Sequence, residues 1–358
     1  MTSSEGVWSA RDTSAAAVEA ALSRLIQERH EESDLYVPAR VLNLIASVDH
    51  EWKGEVQNRL EKVGRFHASR TILLAYEEGR TTLDAYATVS AEQDPKPGEI
   101  VALEERVELD IGPRHLRRLE TIVDPLLVPD LITLVWTPHG HDEAIDALLG
   151  LAHVVLIDTV TSPEPHAALE RAHRLSEDAY VVDLAWVRST PWRERIAATF
   201  DPPDSRPLLE QIEGMTVRFH PESSTTAVLL LGWLATRLGW EPPSPFESED
   251  GGFCSRAWHD GKEIVLRLEP AVRQDVPGLA GVTVDAGGTT FSLDRGPGGL
   301  AAKRRTADGQ ESSWVVLGAS RGESGILGEG IRQALLRDKT YEPALDAAIA
   351  MIAEGAPA

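Results

Sequence analysis

Asp183-Leu-Ala-Trp-Val-Arg-Ser-Thr-Pro-Trp-Arg193 crowds two tryptophans, two arginines and an aspartate into one short segment. Val181 to Val187 reads as a strand, whose period of two sets Trp186 and Arg188 on one pleat face. Thr190 is a good N-cap and Pro191 suits the first helical position, so Trp192 and Arg193 are expected on the first turn of a helix. The segment is poor in catalytic chemistry and rich in residues that anchor interfaces. Two readings stand: Asp183, Trp186, Arg188, Trp192 and Arg193 meet a protein partner, where buried Trp and Arg are worth about 2 kcal/mol or more each, or the tryptophans are core and the arginines cover them.

Working outward, helical and strand periodicities alternate on both sides of this segment. Ala15 to Arg29 is an amphipathic helix with Asp12 or Thr13 as its cap, and Arg40 to Val48 a buried strand. Glu51 to Val63 and Leu116 to Leu127 are expected as helices. Ile100 to Leu109 alternates apolar and charged residues like a half-exposed antiparallel strand. Asp201-Pro-Pro-Asp204 breaks the chain. Thr225 to Leu238 is apolar on nearly every side and so is expected to be buried. After an acidic, proline-rich loop at 241–252 comes a run of short strands with glycine and aspartate turns, then two helices. The expected class is α/β (α+β): a helical extension at 1–34, an N-terminal mixed-sheet α/β domain at 35–162, and a second α/β domain at 163–358 with a strand-rich C-terminal part.

The chain has 358 residues, 57 acidic against 35 basic, and a net charge of -22. Such a charge repels phosphate backbones and anionic membranes, so nucleic acid and membrane are excluded as expected partners; it either favours a partner with a basic patch or reflects a general acidic bias for solubility. Cys254 is the only cysteine, which leaves no intramolecular disulfide and no cysteine-based zinc site. The first residues lack a basic start and apolar run, and the longest apolar run, Ala227 to Ala235, is far short of the roughly 20 residues that span a bilayer. A cytoplasmic protein is the expectation.

Three constellations invite catalytic readings. Gly318-Ala-Ser-Arg-Gly322 matches G-x-S-x-G, but a hydrolase histidine should follow Ser320, and the last histidine is His259. The glycine-rich turn 318–328, with Ser320, Gly322 and Gly325, offers backbone amides to an anion such as a sugar phosphate, against the charge of Glu323. His139-Gly-His141-Asp-Glu143 has the spacing of a loop and helix cap rather than of metal ligands. No nucleophile, metal or cofactor site is therefore expected. Arg65, His67, Ser69 and Arg70 gather two guanidinium groups and an imidazole, which suits either a carboxylate or phosphate partner or the satisfaction of acidic neighbours.

The signature segment resembles the DLAW-x-R-x-TPWR motif of the glucose-6-phosphate dehydrogenase assembly protein family, OpcA. Arg65-Phe-His-Ala-Ser-Arg-Thr71 resembles that family's R-x-H-P-S-R-T pattern, with Ala68 in the place of proline. Pro125-Leu-Leu-Val-Pro-Asp130, leading into Leu134-Val-Trp136, agrees as well. The resemblance implies a non-catalytic factor that binds glucose-6-phosphate dehydrogenase and favours its active conformation or oligomer. It raises the partner-binding reading of the Arg65 to Arg70 cluster. The alternative is a sugar-phosphate-binding enzyme or sensor built on the turn 318–328.

Overall fold

The computed structural model describes residues 6–64, 68–91, 100–241, 243–249, 251–296, 299–317 and 322–352. In chain order the elements are β1 (Gly6–Ala10), α1 (Ala15–Glu32), β2 (Tyr36–Val37), β3 (Leu42–Asp49), α2 (Lys53–Gly64), β4 (Ser69–Tyr76), β5 (Asp84–Ala91), β6 (Val101–Ile111), α3 (Pro113–Leu116), α4 (Leu119–Val123), β7 (Ile132–Trp136), α5 (Asp142–Leu148) and β8 (Val154–Ile157). They continue with α6 (Pro165–Ser176), β9 (Tyr180–Asp183), α7 (Leu184–Phe200), β10 (Ile212–Phe219), α8 (Ser224–Leu238) and β11 (Glu247–Glu249). The last are β12 (Gly252–His259), β13 (Lys262–Pro270), β14 (Leu279–Ala286), β15 (Thr289–Gly296), β16 (Gly299–Arg305), β17 (Glu311–Leu317), α9 (Gly322–Leu336) and α10 (Tyr341–Met351).

These elements form two units, both α/β. The first comprises Met1–Ile157, Asp178–Val182 and Glu323–Leu336, and the second Asp158–Glu177, Asp183–Gly322 and Arg337–Ala358. Against the expected divisions at 34/35 and 162/163, β1 and α1 lie with the first unit, and two later segments return to it. No helix among the described residues is long and apolar enough to cross a membrane.

The first sheet runs β1-β5-β6-β4-β3-β7-β8-β9, with β2 paired to β6. β3 and β4 are buried along nearly their whole length, as strands covered on both faces are. From β6 to β8 the pairing is parallel, and β5 and β1 extend the sheet antiparallel. If β3 is counted as the first strand, the order from β6 to β9 is 3-2-1-4-5-6, that of the doubly wound dinucleotide-binding fold. Local periodicity carries no such order, because order is fixed by long-range pairing. β6 corrects the half-exposed reading: it pairs antiparallel to β5 and parallel to β4, and its Glu105 and Glu108 are buried. The expected helix Leu116 to Leu127 is broken into α3, α4 and a 3-10 turn at Asp124–Leu126 containing Pro125. α1 is capped by Ser14, whose hydroxyl accepts from the Ala17 N–H.

The second sheet runs β11-β12-β13-β10-β14-β15-β16-β17. Only β10 with β13 is parallel. Tight hairpins at Asp260-Gly261 and Gly287-Gly288 have all four residues at positive φ, the backbone that two-residue turns between twisted strands need. The loop at 241–252 is not wholly loop: it carries the edge strand β11, which pairs with β12. α8 is buried on nearly every side, as its composition foretells. It meets α10 so closely that a Cβ on Gly232 would lie 2.3 Å from the Ala344 carbonyl oxygen, so glycine is needed there for packing rather than flexibility.

Candidate functional site

The signature segment is a helix, not a strand followed by a helix. Asp183 ends β9 and caps α7, its Oδ1 accepting from the Ala185 N–H at 2.9 Å. Pro191 lies inside α7 rather than at its start. An interior proline leaves one carbonyl unpaired and strains the turn, a cost of about 3 kcal/mol. It is offset by burial of Leu184, Trp186, Val187, Trp192, Ile196 and Phe200 along the same helix. Trp186 and Arg188 accordingly do not share a pleat face.

Asp183 is fully buried. Besides Ala185 it accepts from the Thr159 N–H (3.1 Å) and hydroxyl (2.7 Å), and from the Tyr341 hydroxyl at 3.4 Å. All these donors are neutral. Burial, with the Asp158 carboxylate adding to it, pushes the Asp183 carboxyl up to about 6, against the opposing pull of its hydrogen bonds. Arg188 instead forms a bidentate pair with Asp158, at 2.7 and 2.8 Å. The Trp186 indole N–H donates to Asp338 Oδ2 at 3.0 Å. The Arg193 guanidinium lies 3.4 Å from the centre of the Trp186 ring, and donates to Thr190 Oγ1 at 2.8 Å. Burial lowers the Arg193 pKa to about 10, opposed by the Asp338 carboxylate 3.5 Å away. Trp186 is 3% and Trp192 5% exposed. The interior reading of the two tryptophans is the one this geometry matches; Arg188 reaches closest to solvent, with its head group already paired.

In the first unit Arg70 is the second residue of β4 and is buried. It donates to Glu105 at 2.7 Å and to the Leu126 carbonyl at 3.0 Å, while Arg40 holds the other oxygen of Glu105. Ser69 contacts the Thr71 hydroxyl at 3.1 Å. Arg70 thus satisfies an acidic neighbour, the second of the two readings. Arg65 and His67 lie outside the described residues.

Ser320 also lies outside them. Gly322 begins α9 and Gly325 sits within it, so the latter half of the expected turn 318–328 is helix. The buried stripe Leu327, Ile331 and Ala334 accounts for that. His139 and His141 form no metal cluster among the described residues; Asp142 and Glu143 sit in the first turn of α5, where acids suit the positive helix end.

These histidines belong to a place that sequence reading missed. Between β3 and β7 the chain order of the first sheet reverses, and in doubly wound folds a dinucleotide binds beyond the carboxyl ends of the strands there. β3 runs into His50-Glu51-Trp52 with no G-x-G-x-x-G. The Trp52 and His139 rings stack at 4.6 Å and 21°. Glu55 lies 3.4 Å from His139 and Asp49 3.7 Å from His141. The Tyr76 phenol is raised by burial and by Glu78, Glu143 and Asp49. A pyrophosphate would meet carboxylates and an aromatic pair in place of glycine amides, so these residues do not fit a dinucleotide.

Two family descriptions match the chain, both of a glucose-6-phosphate dehydrogenase subunit. Its N-terminal domain matches residues 60–174, and its C-terminal domain matches 179–345. The OxPP cycle protein OpcA of Synechococcus elongatus is 28% identical over 60% of this chain and 46% of its own length. That of Nostoc punctiforme is 31% identical over 46% of this chain and 37% of its own length. The matched region thus spans less than half of either relative. Among solved structures, the oxidoreductase yvaA of Bacillus subtilis is similar with a TM-score of 0.48 at 14% identity, covering 87% of this chain and 95% of that one. The oxidoreductase yhhX follows with a TM-score of 0.46 at 13% identity, over 87% and 95%. By its sequence matches, the chain belongs to the OpcA family of glucose-6-phosphate dehydrogenase assembly proteins.

Proposed function

We propose that this chain is a non-catalytic factor that binds glucose-6-phosphate dehydrogenase and favours its active conformation or oligomer. The observation that carries the reading is the pair of family matches, both to a subunit of that enzyme, over residues 60–174 and 179–345. The acidic, ring-stacked end of β3 and β7 supports it, since a doubly wound sheet with that chemistry is ill suited to hydride transfer from a nicotinamide dinucleotide. A net charge of -22 suits a partner with a basic surface and steers the encounter. Activation then follows from linkage: the factor binds the active state of the dehydrogenase more tightly than the inactive one and shifts the population accordingly. Asp183, Trp186, Trp192 and Arg193 contribute by holding the shape of the second unit, and Arg188 is the member of the segment nearest to a partner.

The test is to mix the purified chain with glucose-6-phosphate dehydrogenase from the same cells, following sedimentation and NADP reduction at low and high salt. The expected result is a salt-sensitive complex with a higher turnover of the dehydrogenase, and no hydride transfer by the chain alone. No complex at low salt, or hydride transfer by the chain alone, would sink the reading.

A further inference from the structure

Each unit holds a tryptophan among carboxylates, and only one of the two carries a cation. In the second unit the Arg193 guanidinium lies 3.4 Å from the centre of the Trp186 ring, with Asp338 3.5 Å from that guanidinium. In the first unit Trp52 offers the same chemistry to solvent. His139 stacks on its ring, yet Trp52 is still 42% exposed, and no guanidinium or ammonium group lies over it among the described residues. The cations nearby in the chain are engaged elsewhere: Lys53 binds Asp110 at 2.7 Å and Glu108 at 3.3 Å, and Arg59 is paired with Glu55. The carboxylates are in excess. Glu51, Glu78 and Glu143 are exposed and form no ion pair among the described residues. Beyond the effect of burial, Glu78, Glu143 and Asp49 all push the Tyr76 phenol up, so their fields converge on one place.

We infer, on the footing of the binding role proposed above, that this end of β3 and β7 docks a basic segment of the protein partner, with an arginine of that segment stacked on Trp52. The charge of the site selects a cationic occupant. Arginine suits it better than lysine, because a planar guanidinium lies flat on a ring while its N–H groups reach carboxylates at the rim. Glu51, Glu78 and Glu143 stand on three different stretches of chain, after β3, β4 and β7, and no three histidines or acids among the described residues could hold one metal ion. A segment with several basic residues can meet all three acids where a single small cation cannot. Tryptophan and arginine are also the residue types that carry most binding energy at interfaces, and the surrounding acids speed the encounter and reject acidic surfaces.

The test measures the affinity of the full chain and of three variants for the dehydrogenase at low salt, with circular dichroism as the check on folding. Trp52→Ala should weaken the complex about tenfold or more. Glu51→Lys with Glu143→Lys should weaken it at least as much and slow association. Glu210→Lys with Glu213→Lys makes the same change in net charge at exposed positions of the second unit, and should weaken it less than about threefold. All the altered side chains are exposed, so the variants should fold. A parent that forms no complex ends the binding role itself, and this site with it. A parent that binds, while either the Trp52 variant or the Glu51 and Glu143 variant binds as well as it does, overturns the site alone. Equal weakening by the two lysine pairs overturns it too, since net charge rather than place would then govern binding.

Discussion

Glu105 in the first unit and Asp183 in the second are both buried carboxylates on strands, and they are satisfied by opposite means. Glu105 lies between the guanidinium groups of Arg40 and Arg70. Asp183 has backbone and hydroxyl donors only, with a second carboxylate, Asp158, close enough to raise its pKa. Removing a charge held by charges leaves its two partners without a counterion. A carboxyl held by neutral donors can take up a proton, or give way to an amide, with little disturbance.

The largest expected effect is at Glu105. Glu105→Gln should lower the stability of the first unit by about 3–5 kcal/mol, because two guanidinium groups are left sharing a neutral amide. Chemical denaturation measures it, and a loss below about 1 kcal/mol would show that Arg40 and Arg70 are satisfied without this charge.

Asp183 should behave differently, and with a pH signature. Folding raises its pKa from 3.8 to about 6, so the native state holds the proton more tightly than the unfolded chain does. Stability from this group is therefore fully present below the unfolded value and lost as pH rises to about 6, by about 3 kcal/mol in total. Asp183→Asn keeps an N-cap and lets the Thr159 and Tyr341 hydroxyls turn to accept. The variant is expected to match the parent near pH 4 and exceed its stability near pH 8. Parallel stability–pH curves for the two proteins would show that Asp183 is ionised throughout.

The smallest effect should come from Arg188→Lys, where a bidentate pair at the surface of the cluster becomes a single contact with Asp158. About 0.5–1 kcal/mol is expected. The same variant sharpens the proposed function, since an unchanged complex with the dehydrogenase would remove Arg188 from the partner surface.

Much of the α/β pattern was legible because it is local. The buried runs of β3 and β4, the apolar surround of α8 and the Asp260-Gly261 turn each carry their own signal. The strand order was not legible, since β3 joins β7, and β1 joins β5, through pairings distant in the chain. The start of α7 was misplaced for a related reason. Thr190-Pro191 is a sound local cap signal, but Asp183 caps the helix earlier, and the packing of Trp186 and Trp192 keeps Pro191 inside it. At the candidate site the residue types were visible while their burial was not. The Trp52–His139 stack went unseen because its members lie far apart in sequence and meet only where β3 and β7 pair.

The chain passes between its two units repeatedly, and the first unit is not complete until Leu336 has been made. A ribosome that has released residues 1–174 has delivered a sheet still lacking β9 and a unit still lacking α9. β9 follows β8 closely in the chain, but α9 is made only after most of the second unit. Folding of the first unit during translation is thus confined to partial structures that lack α9 and its buried Leu327, Ile331 and Ala334, species prone to aggregate. A gene fragment cut between the two family-matched regions should yield an insoluble N-terminal half, and co-expression of the two halves should be needed to recover either.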